Sequence, residues 1–525
     1  MTGGNGRETC AYVFDPSEAE EGTEHRTRSQ LSADDLEDGC WHCPHPATED
    51  HEYCLFHRAP EETDPDRVTE RFLERIAAPG KRPKQFIGAE FGELNLEHAI
   101  LESVDNYPID LRHARFHGTV NWEYSIVRQP IAFDGAIFHD AARFDETTFL
   151  GDAFFSVARF VRGHKAYFLE VSFTKAAIFY DVTFAGDTSF FSAEFEGRVD
   201  FIESQFRRAN FREVQFDSRA RFKEATFGHA EFHATTFDAG AEFEAATFPT
   251  RVSFRHATFG DAVRFREPQT AAARCRIDLR DSTVPEATLA HAADGSMVYD
   301  LRDATVGALQ PGDATREQWL GHLDILNTTF DGFDFSAYHD QLAAADWRLH
   351  ETAPERKDDG PSGTDGQLEN TYLKAKNGAN TIGDAKAAAE FFRKEMLFRR
   401  YQYVTKIREG DSLWNRAVAA GRWCGNALLD VTSGYGERPS RVVAFSVGVV
   451  VVFAGLFAIA WPTGPYGGGV VGYLLLSLES FVTLVLGGGV TVEEPRVRLL
   501  AQVEGFIGAF LIALFVFTLT RSIHR

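Results

Sequence analysis

Between Phe173 and Phe216 the chain reads FTKAAIFYDVTFAGDTSFFSAEFEGRVDFIESQFRRANFREVQF, with a phenylalanine at every fifth or sixth position. This spacing extends from Phe138 to Phe265, where 24 phenylalanines are separated by thirteen gaps of five residues, nine of six and one of eight. In all 24 cases the residue two positions earlier is Ala, Val, Thr or Ser. A local repeat therefore explains much of a composition in which 47 of 525 residues are Phe.

A period near five fits neither the 3.6-residue helix nor the two-residue alternation of a strand. It predicts a solenoid in which each unit is one short wall followed by a turn. Each phenylalanine and the small residue two positions before it point into a narrow shaft, and the residues between them point to solvent. With four walls per coil, 24 units predict about six coils and a shaft of about 29 Å at roughly 4.8 Å per coil. The six-residue gaps predict a bulge or a wider corner.

This array resembles the pentapeptide-repeat family, although Phe replaces the more usual Leu at the centre of each unit. The resemblance covers about 130 residues well and another 100 weakly, the latter through stretches such as IDLRDSTV and YDLRDATV. It implies a right-handed quadrilateral β-helix. Some members imitate DNA with an acidic rod, but here Arg and Lys are mixed among the acids, as in Arg207 and Arg208. The array is therefore interpreted as a structural or partner-docking platform.

A second pattern is the pair of motifs CWHC at 40–43 and CLFH at 54–57. Two close pairs of soft ligands can form a tetrahedron around one Zn²⁺ ion. The predicted site is structural, with ligands Cys40, Cys43, Cys54 and His57, and metal binding would fold an acidic segment that has few apolar residues. A catalytic zinc is disfavoured, because four protein ligands leave no open position.

Alternatives to this ligand set stay open at the level of the sequence. His45, His51 and Cys10 are competing ligands, and the thiols could instead be solvent-exposed or form a redox pair. Six cysteines, three of them within fifteen residues, are too few and too clustered for a disulfide framework. The pattern indicates reduced cysteines.

The C-terminal region contains two apolar stretches of membrane-spanning length, roughly Val442–Trp461 and Leu499–Leu519. Between them, Tyr473–Leu486 is apolar but only about fourteen residues long, which is too short to span a bilayer. Three glycines follow it. A short apolar helix and a Gly-rich stretch predict a re-entrant segment, which is tolerated only when buried in protein or lining water. The prediction is therefore an α-helical, two-span membrane domain that assembles around a pore.

This arrangement resembles the two-transmembrane potassium-channel-like superfamily, through the motifs SFVT at 480–483, RLLA at 498–501 and EGFIG at 504–508. In that family a Thr-Val-Gly-Tyr-Gly filter presents rings of backbone carbonyls to the ion. The resemblance implies a homotetramer that conducts a monovalent cation, K⁺ or Na⁺, with Gly505 and Gly508 as packing or hinge positions. The matching filter stretch lacks the Gly-Tyr-Gly core and consists of Thr483, Leu484, Val485, Leu486, Gly487, Gly488 and Gly489. Glu493 and Glu494 either concentrate cations at the outer mouth or are ordinary loop acids.

Basic residues precede the first predicted span and follow the second. By the positive-inside rule, the protein is a two-pass protein of the cell membrane with both termini and the solenoid in the cytoplasm. The residues concerned are Arg416, Arg422, Arg438 and Arg441 before the first span, and Arg521, His524 and Arg525 after the second.

These patterns divide the chain into five segments. They are an acidic segment with the Cys/His cluster (1–80), the β-helix with a helical cap (86–350), a linker (351–368), a helical coupling and juxtamembrane segment (369–441) and the pore-like domain (442–525). Residues 369–409 are expected to form a helix or a helix pair with its break at Gly378 and Gly383. That segment is either a mechanical link or a basic collar on anionic lipid headgroups.

The net charge is −23, with 77 Asp and Glu against 54 Lys and Arg, of which 11 are Lys. The balance disfavours nucleic-acid binding, which needs a basic face, and is typical of proteins from salt-rich cells, so the expected source is haloarchaeal. No nucleophile–base pair, phosphate loop or open metal site is visible, so an enzyme is not expected. The leading hypothesis is a cation-channel-like pore that carries a cytoplasmic repeat rod. The alternative is a non-conducting, membrane-anchored scaffold whose rod binds a protein partner.

Overall fold

The computed structural model describes residues 9–17, 31, 35–161, 163–271, 274–291, 297–312, 319–351, 363–462, 469–487 and 494–523. The chain divides into two compact units. The first consists of Met1–Asp334, Asp340–Ala345 and Leu349–Gly360, and the second of Phe335–His339, Asp346–Arg348 and Pro361–Arg525.

The first unit is a β-solenoid of about ten turns, which confirms the predicted solenoid. Its strands pair in parallel with the strands of the adjacent turns, and most are two residues long because each wall is one short segment between two corners. A separate antiparallel pair, β1 (Val13–Phe14) and β2 (Trp41–His42), precedes the solenoid. Strands β3 to β39 are, in chain order, Glu90–Phe91, Leu94–Asn95, Ile100–Leu101, Ile109–Asp110, Arg115–Phe116, Val120–Asn121, Ile126–Val127, Ile131–Ala132, Ile137–Phe138, Ala142–Arg143, Thr148–Phe149, Ala153–Phe154, Arg159–Phe160, Lys165–Tyr167, Ser172–Phe173, Ala177–Ile178, Thr183–Ser189, Glu194–Phe195, Val199–Asp200, Gln205–Asn210, Gln215–Phe216, Ala220–Arg221, Thr226–Phe227, Ala230–Glu231, Thr236–Phe237, Ala241–Glu242, Thr247–Phe248, Arg251–Ser253, Thr258–Phe259, Val263–Phe265, Gln269–Thr270, Cys275–Asp278, Thr283–Leu289, Met297–Asp300, Thr305–Gln310, Leu323–Asp324 and Thr329–Phe330.

The phenylalanines fill the shaft in four columns of stacked rings. Within a column, consecutive ring centroids lie 4.5 to 5.8 Å apart and the rings are within 15° of parallel. The columns are 91–116–138–160–184–206–227–248, 133–155–179–201–222–243–265, 144–168–190–211–232–254 and 149–173–195–216–237–259. All 24 predicted phenylalanines belong to a column. The solenoid exceeds the six coils predicted for 138–265, because the weakly matching flanks form turns as well. The right-handed sense of the coil stays a prediction.

Two kinds of corner explain the mixture of five- and six-residue gaps. After every phenylalanine of the 133 and 144 columns up to Phe259, the next phenylalanine follows at five residues. These corners contain a residue of positive φ two positions after the ring, such as Glu146 (φ 51°) or Glu224 (φ 58°). A left-handed residue closes a tight turn of fixed length. Every six-residue gap falls at the other two corners, which therefore absorb the extra residue.

The N-terminal end of the solenoid is covered by helix α1 (Pro65–Ala77) and the loop before it. Phe72 is fully buried and packs its ring against those of Phe86 and Phe91. The backbone N–H of Glu90 donates to the carbonyl of Phe56 at 2.7 Å. This cover protects an edge that would otherwise offer unpaired backbone groups to another chain.

The remaining structure is helical. Helices α2 to α8 span His339–Ala344, Asp365–Thr381, Ala385–Glu409, Leu413–Ser433, Pro439–Ala460, Val470–Leu486 and Pro495–Ile523. Short 3₁₀ helices lie at Pro60–Glu62, Arg82–Lys84, Leu320–His322, Phe335–Tyr338 and Leu349–Glu351.

Helices α3 and α4 form a pair within the second unit. A capping box of Thr364 and Gln367 begins α3, and Gly383, at φ +79°, lies in the turn before α4, whereas Gly378 is inside α3. The rings of Tyr372 and Phe398 stack between the two helices, with centroids 5.4 Å apart.

Helices α6 and α8 are long and apolar enough to cross a membrane. Helix α7 is apolar but shorter.

Candidate metal centre and C-terminal module

The strand pair β1–β2 brings distant cysteines together at the N-terminal end of the first unit. Its register places Val13 opposite His42, and the backbone N–H of Cys10 donates to the carbonyl of His45 at 2.9 Å. Cys10 and Cys43 therefore face the same space. A tight turn, in which the N–H of His57 donates to the carbonyl of Cys54 at 3.1 Å, supplies the other two side chains.

Four buried ligand atoms, the sulfurs of Cys10, Cys43 and Cys54 and a ring nitrogen of His57, lie within 4.8 Å of one another. The Cys43 and Cys54 sulfurs are 3.8 Å apart, and Nδ1 of His57 lies 3.3 Å from Cys54 and 3.9 Å from Cys10. A tetrahedral zinc site with bonds of about 2.3 Å to sulfur and 2.0–2.1 Å to nitrogen has edges of about 3.6–3.8 Å. The described residues thus fit one tetrahedral metal ion.

Groups around this cluster orient its ligands. Nε2 of His57 donates to the carbonyl of Ile87 at 2.9 Å, which leaves Nδ1 free to bind a metal. The His57 ring stacks on Tyr12 with centroids 3.8 Å apart. The N–H of Cys54 points to the sulfur of Cys10 at 3.1 Å, an arrangement that stabilises a thiolate.

The structure brings together three of the four predicted ligands, and Cys10 stands where Cys40 was expected. Cys40 is partly exposed and pairs with Glu37 in an isolated β-bridge, outside the group. His45 uses both ring nitrogens elsewhere, since Nε2 donates to the carbonyl of Gln85 and Nδ1 accepts from Arg75. His51 accepts from the N–H of Tyr53 and lies outside the group as well.

Within the second unit, α6, α7 and α8 form a packed module, here called the C-terminal module. The hydroxyl of Ser477 in α7 donates to the carbonyl of Val450 in α6 at 2.8 Å. Tyr473 packs near Phe457 in one cluster, and Phe481 packs near Val442 in another. Residues of increasing number on α7 contact residues of decreasing number on α6, so α7 runs antiparallel to α6.

The contacts of α7 with α8 have the opposite order. Leu476 packs near Val497, and Phe481 packs near Leu511. Residues of increasing number on α7 therefore contact residues of increasing number on α8. Helix α7 runs parallel to α8, although the two follow each other in the sequence.

Gly505 and Gly508, the predicted packing or hinge positions of α8, lie where this helix approaches α7 most closely. A side chain at Gly508 would overlap the carbonyl of Phe481, and a Cβ at Gly505 would lie 3.1 Å from the carbonyl oxygen of Ser480. Both positions thus permit close helix packing.

The predicted filter residues begin in the last turn of α7. Thr483 bonds to the carbonyl of Glu479, Leu484 and Val485 are exposed, and Leu486 is the last residue of the helix. Gly487 caps the helix in the left-handed conformation, at φ +75°. Gly488 and Gly489 lie outside the described residues.

Glu504 is fully buried between the three helices of the module. One of its carboxyl oxygens bonds to the hydroxyl of Ser477, and the other has no partner among the described residues. The Ser477 hydroxyl has one hydrogen but contacts two oxygens, Glu504 Oε1 and the carbonyl of Val450. Ser477 therefore donates to one of these two oxygens at a time. If the hydrogen goes to the carbonyl, only a protonated Glu504 can complete the second bond.

This contact predicts the ranking of three substitutions. Glu504→Gln, which is neutral and keeps a donor, is expected to change the stability of the module by less than about 1 kcal/mol. Glu504→Leu should lose about 0.6–1.7 kcal/mol with the interhelical bond, and Glu504→Lys about 3 kcal/mol. Thermal melting in detergent, followed by helical circular dichroism, checks this order. A Gln variant less stable than the Leu variant would show that Glu504 needs its charge.

The fold defines the first unit as a β-solenoid protein. More specifically, a family model described as Pentapeptide repeats (9 copies) matches residues 133–183, 168–215, 179–226 and 222–267, which confirms the predicted repeats. No curated protein and no solved structure matches the chain.

Proposed function

We propose that this protein is a membrane-anchored pentapeptide-repeat protein whose C-terminal module assembles as a homotetramer around a cation-conducting pore. The solenoid lies in the cytoplasm, with both termini, and acts as a regulatory or partner-docking platform rather than as an enzyme.

The parallel direction of α7 and α8 carries this proposal. Two successive helices that each cross a bilayer run in opposite directions. In a re-entrant segment the chain returns to the side from which it entered, so its short helix and the helix that follows run in the same direction. Only the eight residues 487–494 connect Leu486 to Pro495. Helix α7 has 17 residues, at the lower limit for a membrane span, and packs on both longer helices. These features favour a re-entrant pore helix.

The end of α7 favours cations. The C-terminus of a helix carries about half a negative charge, because its last carbonyls have no intrahelical partner. The last turn of α7 contains no basic residue that would neutralise it. Four such ends around one axis would form a site for a monovalent cation, K⁺ or Na⁺, at Thr483–Gly487.

Reconstitution of the full chain tests the pore. We expect a tetramer by native mass spectrometry and K⁺ or Na⁺ flux from liposomes. Gly487→Val should abolish flux without dissociating the tetramer, because a β-branched residue does not adopt positive φ. Gly383→Val is the matched control, since it introduces the same strain in the turn between α3 and α4 and should leave flux intact.

A non-conducting scaffold is the competing function, favoured by the missing filter core. A tetramer without flux of either ion would leave only the anchoring role, and a monomer would support the scaffold directly.

For the Cys/His cluster, the fit of its ligand atoms to a tetrahedron supports a structural zinc site formed by Cys10, Cys43, Cys54 and His57. When bound, zinc would cross-link β1–β2 to the loop that covers the solenoid end. Four protein ligands leave no position for a substrate.

A further inference from the structure

Helix α5 (Leu413–Ser433) presents an apolar face to the outside of the second unit. Leu413 is 85% exposed, Trp414 77%, Val431 59% and Leu428 55%. At 100° per residue these side chains fall within one third of the helix circumference. Within the described chain, no element covers this face. Such a face is unfavourable in water, where it would leave a large contiguous apolar surface exposed.

The opposite face of α5 packs against the protein mainly through polar side chains, with Ala419 as a buried apolar residue among them. Asp430 accepts from Arg400 of α4 at 3.0 Å, and Asn426 donates to the carbonyl of Met396 at 3.2 Å. On a water-soluble protein the apolar face of a surface helix packs inward and the polar face meets water. Helix α5 has the opposite arrangement, which indicates that the medium outside it is apolar.

The charges of α5 identify that medium. Arg416 and Arg422 lie on either side of the apolar face, each about 60–80° beyond its edge on the helix. Trp414 and Trp423 lie on the same helix and are both exposed. Arginines that flank an apolar, Trp-containing face suit the boundary between lipid phosphates and acyl chains.

The connection to the next helix agrees with this medium. Helix α5 ends at Ser433 and the candidate span α6 begins at Pro439, so the two are joined by five residues. Arg441 of α6 donates to the side chain and the carbonyl of Asp430, which fixes the corner between the helices.

We infer that α5 is an interfacial helix that lies in the bilayer surface, with Leu413, Trp414, Leu428 and Val431 among the acyl chains and Arg416 and Arg422 at the lipid phosphates. This inference requires that α6 enters the membrane, but not that the protein conducts ions or forms a tetramer. A second copy of the chain is the other possible occupant, since Ala417, Gly421 and Gly425 form a row of small residues on the same face.

Cys424 provides the test without disturbing the fold, because it is exposed and lies on the apolar face. The full chain, with Cys40→Ser to prevent a second label, is spin-labelled at Cys424 in phosphatidylcholine–phosphatidylglycerol nanodiscs. We expect the label to collide several-fold more often with oxygen than with a water-soluble nickel chelate. The matched control is Asn415→Cys with Cys424→Ser, at the edge of the polar face of the same helix, where the nickel chelate should dominate.

Two results would overturn the inference. Equal access of the nickel chelate at both positions would place α5 in water. Strong spin–spin broadening at Cys424, lost on dilution with unlabelled chain, would show a second copy on this face instead of lipid. Both readouts are independent of ion flux, so they separate this inference from the proposed pore.

Discussion

Truncation of Phe190 to alanine is expected to destabilise the solenoid by about 3–5 kcal/mol, the usual cost for a fully buried aromatic ring. Phe190 is fully buried and stacks between Phe168 and Phe211, with centroids 4.7 and 5.0 Å away. Its edges also contact the faces of Phe179 and Phe201. The turns of the solenoid cannot collapse into the cavity that Phe190→Ala would leave, because backbone hydrogen bonds fix the spacing between turns near 4.8 Å. The midpoint of thermal or urea unfolding of the solenoid measures the loss.

The next residue is a matched control. Phe191 has the same side chain but lies on the outside of the same wall and is partly exposed. We expect Phe191→Ala to cost less than about 1 kcal/mol. Phe190→Leu, which introduces the more usual residue of the repeat family, should fall between the two at about 1–2 kcal/mol. Similar losses for Phe190→Ala and Phe191→Ala would show that the ring columns do not dominate the stability of the solenoid.

Loss of the metal site is the second large effect. Cys43→Ser is expected to reduce bound zinc from one ion per chain to none in chain purified with zinc, because the Cys43 sulfur is one of four converging ligand atoms. Structural zinc sites contribute about 10–16 kcal/mol of apparent binding energy in small peptides. Residues 10–17 and 35–57 should therefore lose protection against proteolysis. Metal analysis and limited proteolysis of the full chain measure the two outcomes, and a chelator should reproduce them in the unmodified protein.

Two further cysteine variants distinguish the alternative ligand sets. Cys10→Ser should behave like Cys43→Ser, whereas Cys40→Ser should keep one zinc ion and normal protection. The opposite result, with zinc lost on Cys40→Ser and kept on Cys10→Ser, would restore the ligand set predicted from spacing alone. If the unmodified chain binds no zinc at micromolar concentration, the structural-zinc proposal fails.

The ring columns were predictable because their cause is local. Each phenylalanine and the small residue before it recur at short range, and a chain with this period has few ways to bury all its rings. The six coils predicted for 138–265 do not include the flanks, where units with Leu, Ile or Val in place of Phe, such as those of Ile277 and Leu301, form further turns through the same backbone pairing. The corner rule was also hidden, because most of the positive-φ residues at these corners are not glycine.

The metal cluster shows that the spacing of cysteines and histidines in the sequence does not identify all the ligands. The CWHC motif contains two cysteines at ideal separation, and only the pairing of β1 with β2 reveals that Cys10 replaces Cys40. The sequence marks Cys10 as a competing ligand but contains no local pattern that would select it over Cys40.

Residue type and short-range period were enough to predict a Phe-filled solenoid, a Cys/His cluster and two apolar helices of spanning length. The three-dimensional fold was needed to show which cysteines converge, that α7 runs parallel to α8, and that the polar face of α5 packs inward while its apolar face is exposed. These features depend on contacts between residues far apart in the chain, whose direction and register are set by packing rather than by any local pattern.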